Sequence, residues 1–409
     1  MQQTASIIST YSADTFGVCS MLYELGGMVV MHDASGCNST YTTHDEPRWQ
    51  TMDSMVYVSA ITEMEAIMGD EEKFIGDVCA AAADMNPKFI AICGTPIPTM
   101  IGFDFEAVAK VIEARTGIMT FGFATTGMKT YTEGAGEALY GLVKRLVKKS
   151  DDGNNMCSTK KPCAPTREHI KGGDNSPGVP RVAVLGVTPL DFSVNGEDKS
   201  IEEFIKDSGF EFMGNYCMGV TLSDIERLSE ADATLVVSAA GYKTAVYLKA
   251  DFGIPYVIGV PVEGKAAEIV RGQLEAKLKA RGHGTISGKS YNGKMAAVIG
   301  EPVITTSIAK NLLLEKGYKV KAVVAVDADK TLLSELEFGM IEVIHHLYEE
   351  DIKADIAEAD VVIADPMYKP ITSSKSAFIP LPTESFSGRI YRKDIPDVVK
   401  SFDKIRSMI

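Results

Sequence analysis

The stretch Val29–Tyr41, VVMHDASGCNSTY, runs from an apolar, β-branched segment into a polar, Gly-containing turn that carries Cys37. A short apolar run bounded by turn residues reads as a buried strand. The pattern recurs in PKFIAICG, where Cys93 ends the strand and Gly94 follows it. Helical patterns surround these two strands. TFGVCSMLYEL precedes the first, EEKFIGDVCAAAADM precedes the second, and FDFEAVAKVIEARTG follows with Gly117 at its C-cap. A further strand, IMTFGFA, leads to GAGEALYGLVKRLVKKS, whose basic last turn suits the negative end of a helix dipole. Strands alternating with helices predict parallel α/β units, in which ligands bind beyond the carboxyl ends of the strands. Cys37 and Cys93 both fall on that edge, and Cys19 approaches it if its helix starts there.

The alternation continues beyond a break. Residues 151–180 are rich in Gly, Pro and Asn with no hydrophobic period, and read as a linker or long surface loop. A second block starts at RVAVLGVTP and continues through IEEFIKDSGF, ATLVVSA, GYKTAVYLKADFG and IPYVIGVPV. A third begins near GKMAAVIGEPVITTSIAKNLLLEKGYKVKAVVAVD and includes ADVVIADPMY. The chain therefore reads as an α/β protein of three Rossmann-like domains with mostly parallel sheets, over 1–150, 181–292 and 293–409.

Composition sets the limits. The 409 residues suffice for two or three domains, and 45% hydrophobic with 23% charged residues is ordinary for a globular chain. A net charge of -14 argues against nucleic acid or an anionic membrane as partner. No run reaches about 18 apolar residues, and MQQTASIIST lacks the features of a secretory signal, so the expected compartment is the cytoplasm. Structural disulfides are rare there, and the seven cysteines, an odd number without a CxxC pair, do not form a disulfide framework. Cys79 among alanines reads as a small buried packing residue. Cys157 and Cys163 read as an exposed reduced pair in the linker, and Cys217 follows a strand in the second block. Cys19, Cys37 and Cys93 each lie near glycine, which lets backbone approach a bulky cofactor; Gly36 and Gly94 are candidates for that role. On the residues alone, three ordinary buried thiols are a better reading than a ligand set.

The flanks resemble one family. HDASGC is similar to the second-ligand segment of nitrogenase component 1 subunits. VYVSAITEMEAIMGDEEKF resembles the segment after it, with Thr62, Glu63 and Gly69 matching. FIAICGTPIPTMIGFDFEAVAKVI resembles the third-ligand segment, with Phe103 in place of one acidic residue, and FGVCSMLYELGG fits the first. Weaker similarity extends through YLKADFGIPYVIGVPVE into the third block.

The resemblance implies an interface iron–sulfur cluster, [4Fe-4S] or a P-cluster-like [8Fe-7S], held by Cys19, Cys37 and Cys93. Thiolates are the soft ligands such clusters take. Any remaining position falls to a partner subunit or to Asp33. It further implies a homodimer, or a heterodimer or heterotetramer with a related subunit, and a separate ATP-dependent iron protein as electron donor. This chain has no P-loop of its own. Departures narrow the reading. Where the family's α subunits place a middle-domain Cys, VVSAAGY has Ser238, and the C-terminal DPMYKPITSSKSAFIPLPTESFSGRIY contains no His. No second cofactor held by that Cys/His pair is expected. The implied function is the iron–sulfur subunit of a nitrogenase-like two-component reductase acting on a tetrapyrrole or a small unsaturated or organosulfur molecule. A scaffold subunit for assembly of a nitrogenase-type cofactor is the alternative. No catalytic residue is assigned. His32 reads equally as a core residue or as a neighbour of the cluster, His345 and His346 as helical, and THDEPRW (Thr43–Trp49) as a solvated turn.

Overall fold

The computed structural model describes residues 6–7, 11–41, 43–148, 178–279 and 288–408, without the side chains of Cys37, Lys279, Lys404 and Arg406. Most of the expected 151–180 linker, with Cys157 and Cys163, lies outside the described residues. The chain is an α/β protein built on three parallel sheets. The first has strands β1 (Met28–Met31), β2 (Met55–Val58), β3 (Ile90–Cys93) and β4 (Thr120–Phe123) in the order β2-β1-β3-β4. The second has β5 (Arg181–Leu185), β6 (Glu211–Tyr216), β7 (Ala233–Val236) and β8 (Tyr256–Ile258) in the order β6-β5-β7-β8. The third has β9 (Met295–Gly300), β10 (Lys319–Val324), β11 (Ile341–His345), β12 (Val361–Ala364) and β13 (Ala377–Pro380) in the order β11-β10-β9-β12-β13.

In the first sheet the chain order reverses between β1 and β3, the position where open α/β sheets form a crevice. There Met31 pairs with Cys93. Alternation along β1 sends Met28 and Val30 to one face and Val29 and Met31 to the other. Helices α3 (Glu71–Met85) and α5 (Phe105–Thr116) cover the Met28 face with Phe74, Ile75 and Val78, and with Phe105, Val108 and Ile112. Each such buried large apolar side chain contributes about 1.5–3 kcal/mol. Asp70 and Asp104 cap the two helices, and Asn86 and Gly117 end them in left-handed conformation. Helices α1 (Asp14–Leu22) and α6 (Tyr131–Leu146) cover the other face. The short helices α2 (Glu63–Met68) and α4 (Pro96–Met100) sit in the loops after β2 and β3.

Every residue of α1 is buried, the polar Asp14, Thr15 and Ser20 included. Two glycines bring it onto α6. A Cβ on Gly17 would lie 2.0 Å from the Tyr131 carbonyl oxygen, and one on Gly134 1.9 Å from that of Asp14. The opposite side of α6 meets the helix Ala239–Phe252 of the second sheet, where a Cβ on Gly136 would lie 3.0 Å from Ala240 O.

His345 ends strand β11 and His346 follows it, instead of lying on a helix. The run Ile341–His345 pairs along β10, so ladder bonding overrides its acidic, helix-like flank. Cys79 on α3 is half-exposed instead of buried, its helix burying Phe74, Ile75, Val78 and Ala82 instead.

Gly17→Ala is expected to lower unfolding free energy by about 3 kcal/mol, because its methyl meets backbone that cannot retreat. Gly76→Ala in α3, where nothing lies within 4 Å of the added carbon, gains about 0.5–1 kcal/mol. Urea unfolding of the three proteins checks both.

Candidate functional site

Asp14, at the start of α1, fixes where Cys19 falls. Its carboxylate is buried and accepts from the amides of Thr15 (2.9 Å), Thr126 (2.9 Å) and Gly127 (2.7 Å), tying the helix to the loop after β4. The next residue, Thr15, donates to Gly94 O at 2.6 Å, on the turn after Cys93. Cys19 and Cys93 are consequently brought together: both are buried in one core cluster, and the Cys19 side chain acts on the Cys93 thiol. The Cys19 side chain and burial hold the Cys93 thiol well above its ordinary pKa. Cys93 Sγ also lies 3.8 Å from Val30 O. Without a cation the Cys93 thiol keeps its proton, whereas a bound metal favours the thiolate.

Cys37 opens a 3-10 turn, Cys37–Thr40, in the loop after β1. Its side chain lies outside the described residues, and among these no three His, Cys, Asp or Glu groups gather at metal-binding distances. The donor chemistry nevertheless fits an iron–sulfur cluster, with two adjacent buried sulfurs and a third cysteine in the neighbouring turn. Asp33 has both oxygens engaged, accepting from Thr95 Oγ1 and Asn38 Nδ2 at 2.7 Å each. To serve as a ligand it would have to surrender one of these bonds. The space beside Gly36 is open, whereas a Cβ on Gly94 would strike Thr125 O at 2.3 Å and the Phe105 ring. At Gly94 the absent side chain accommodates the protein itself.

His32 continues the Met28 face of β1, away from the thiols. Its Nδ1 lies 2.8 Å from Ser59 Oγ, and its ring sits 4.3 Å from Phe74 and 4.5 Å from Phe103. Burial drives its pKa down to about 4, leaving a neutral imidazole at pH 7. Phe103, the residue that departs from the family's acidic pattern, thus packs against this imidazole.

THDEPRW is not a solvated turn. Glu46 and Arg48 are buried: the guanidinium donates to Glu46 Oε1 (2.6 Å), Glu24 Oε1 (2.7 Å) and Ser20 O (2.7 Å), and to Cys217 O at 3.3 Å. Paired charges of this kind can be buried where isolated ones cannot. The cluster clamps α1 to the second sheet, and Cys217 packs with Sγ 4.0 Å from Ser20 O. Ser238 begins the helix Ala239–Phe252 and donates to Gly186 O at 2.6 Å.

One turn before Cys19, Phe16 stacks on Tyr41 at 4.8 Å and lines a cleft of about 840 Å³ where the three sheets meet. Tyr11, Asp45, Leu190, Glu384 and Arg389 contribute to its walls. Beneath Leu190 lies Asp191, a buried carboxylate that the sequence reading missed, since a single Asp in VTPLDFS carries no signal of burial. Its Oδ2 accepts from Thr188 Oγ1 at 2.8 Å, while Oδ1 has no partner among the described residues. Burial pushes its pKa up to about 6, and burial together with Asp191 pushes Glu301 up to about 8. The folded state therefore holds a proton on Asp191 that the unfolded chain releases near its ordinary pKa of 3.8. This contribution to stability is complete at low pH and is lost as pH rises to about 6. Asp191→Asn is expected to remove that slope and to be about 2–3 kcal/mol more stable than wild type at pH 7, read by chemical denaturation across pH.

Comparison with known proteins agrees with this architecture. The nitrogenase component 1 type oxidoreductase model matches residues 15–380. The chain is 26% identical over 197 residues to the nitrogenase iron-molybdenum cofactor biosynthesis protein NifE of Methanosarcina barkeri, covering 48% of this chain and 39% of that protein. It is 21% identical over 292 residues to a subunit of the light-independent protochlorophyllide reductase of Nostoc punctiforme, covering 65% and 54%. It is 24% identical over 316 residues to the nitrogenase molybdenum-iron protein beta chain of Methanothermobacter thermautotrophicus, covering 70% and 66%. The chain thus spans less than two thirds of the length of these relatives. The solved structure of nitrogenase Cp1 at pH 6.5 shares the fold, with a TM-score of 0.64 at 14% identity over 100% of this chain and 94% of that one. Three parallel sheets, paired thiols on the first of them and the family match over 15–380 together establish that the chain belongs to the nitrogenase component 1 type oxidoreductase family.

Proposed function

We propose that this protein is the iron–sulfur subunit of a nitrogenase-like two-component reductase, with Cys19, Cys37 and Cys93 as the thiolate ligands of a cluster at a subunit interface. The observation that carries the reading is the buried Cys19–Cys93 pair at the carboxyl edge of the first sheet, beside the turn that bears Cys37. When bound, the cluster supplies one-electron transfer from an ATP-dependent iron protein towards the substrate. The chain's own part is to hold sulfurs in place, exclude water and present a docking surface.

That surface rims the same edge. Met64, Ile67, Met68, Met100 and Met128, in the loops after β2, β3 and β4, are between 67% and 85% exposed. Adaptable methionines in such a patch suit a protein partner. A related component 1 subunit, identical or diverged, and the iron protein are the partners assigned to it, the former supplying whatever ligation three cysteines leave open. The 840 Å³ cleft reached through Phe16 is assigned to the substrate, with aromatic walls for a flat unsaturated molecule and Arg389 for an acidic group. Tetrapyrroles and small unsaturated or organosulfur molecules both meet these demands.

The similarity to NifE favours a second reading, a scaffold on which a metal cofactor is assembled and released. Anaerobic expression with the neighbouring genes separates the two. A reductase retains its cluster and consumes reductant with an iron protein and ATP, whereas a scaffold transfers its metal to an acceptor and turns nothing over. Cys37→Ala is expected to lose most of the bound iron and Cys79→Ala to keep it, measured by iron quantification after anaerobic purification. Equal iron in the two variants contradicts the ligand assignment.

A further inference from the structure

Far from the thiols, a cavity of about 330 Å³ opens between the second and third sheets beside β8. Lys310, near the end of the helix Pro302–Asn311, reaches into it. This side chain is only 7% exposed, and its Nζ makes no hydrogen bond or ion pair with any described residue. Its one neighbour of note is the Phe338 ring, with the ammonium 5.5 Å from the centroid. With its stem buried and its nitrogen opening onto the cavity, this ammonium loses much of its hydration, and a face of phenylalanine recovers little of that. Two carboxylates, Glu335 and Glu337, also line the cavity, and neither forms an ion pair with Lys310. Glu335 accepts from the Tyr242 and Tyr256 hydroxyls at 2.7 and 2.8 Å, and both Glu335 and Glu337 are exposed to screening solvent. Lys277 and Gln273 stand at the same cavity with further donors.

We infer that this cavity binds a small anion through its carboxylate or phosphate oxygens, with Lys310 as the inner cation and Lys277 and Gln273 as donors at the mouth. The buried charge then has the acceptor that the protein withholds, and the ligand's remaining atoms rest against Phe338 and Tyr256. Burial lowers the Lys310 pKa to about 8, so the amine is mainly charged at neutral pH and its charge is reinforced when an anion arrives. This site is independent of the cluster and of the cleft assigned to substrate.

Thermal unfolding of the full chain with inorganic phosphate or succinate at low millimolar concentration tests the inference. At least one anion is expected to raise the Tm of wild type saturably while leaving Lys310→Met unmoved, and the responding anion identifies the group recognised. No shift in wild type with either anion, or equal shifts in both proteins, overturns the site. Should Lys310→Met fail to fold, acetylation of wild type by acetic anhydride decides. The effective anion is expected to reduce labelling of Lys310 several-fold and leave exposed Lys294 unchanged, and unchanged labelling of Lys310 overturns the inference.

Discussion

The arrangement of the site depends on the backbone contact between α1 and α6. Gly17 and Gly134 allow each helix to touch the other's carbonyls, with no side chain between them. Asp14 then anchors the start of α1 to the loop after β4, and Arg48 ties its middle to the second sheet. With its register and tilt fixed in this way, α1 delivers Cys19 to the strand end occupied by Cys93. A larger residue at either glycine would separate the helices and carry the thiol away from its companion.

The same constraint links the two regions given functional roles. Phe16 and Cys19 are one turn apart on α1, so the helix that carries the thiol also contributes to the cleft wall. On the far face of the sheet, His32 is neutral and enclosed by Phe74 and Phe103, and plays its part in packing the strand end. The exposed methionines lie in the loops after β2, β3 and β4, at the rim of the same edge.

Much of this was legible in the residues. Apolar runs ending in turns located β1, β3 and β4, and EEKFIGDVCAAAADM marked the span of α3. Strands β2, β11 and β13 escaped notice: β2 and β13 are only four residues long, and β11 ends in histidine beside an acidic stretch. Buried charge was the larger gap. Glu46, Arg48, Asp191 and Lys310 sit in local sequences that resemble solvated ones, and only tertiary packing decides whether such a group is paired, protonated or left waiting for a ligand. The pairing of Cys19 with Cys93 belongs to the same class, because no local period reports that residues 74 positions apart share a strand end.

The cluster assignment is most directly tested by anomalous diffraction at the iron edge from crystals grown anaerobically. The account predicts an iron peak within bonding distance of the Cys19, Cys37 and Cys93 sulfurs, at an interface with a second subunit. Crystals of protein from cluster-producing cells that show no iron there, with the Cys19 and Cys93 thiols still paired to each other, would contradict it.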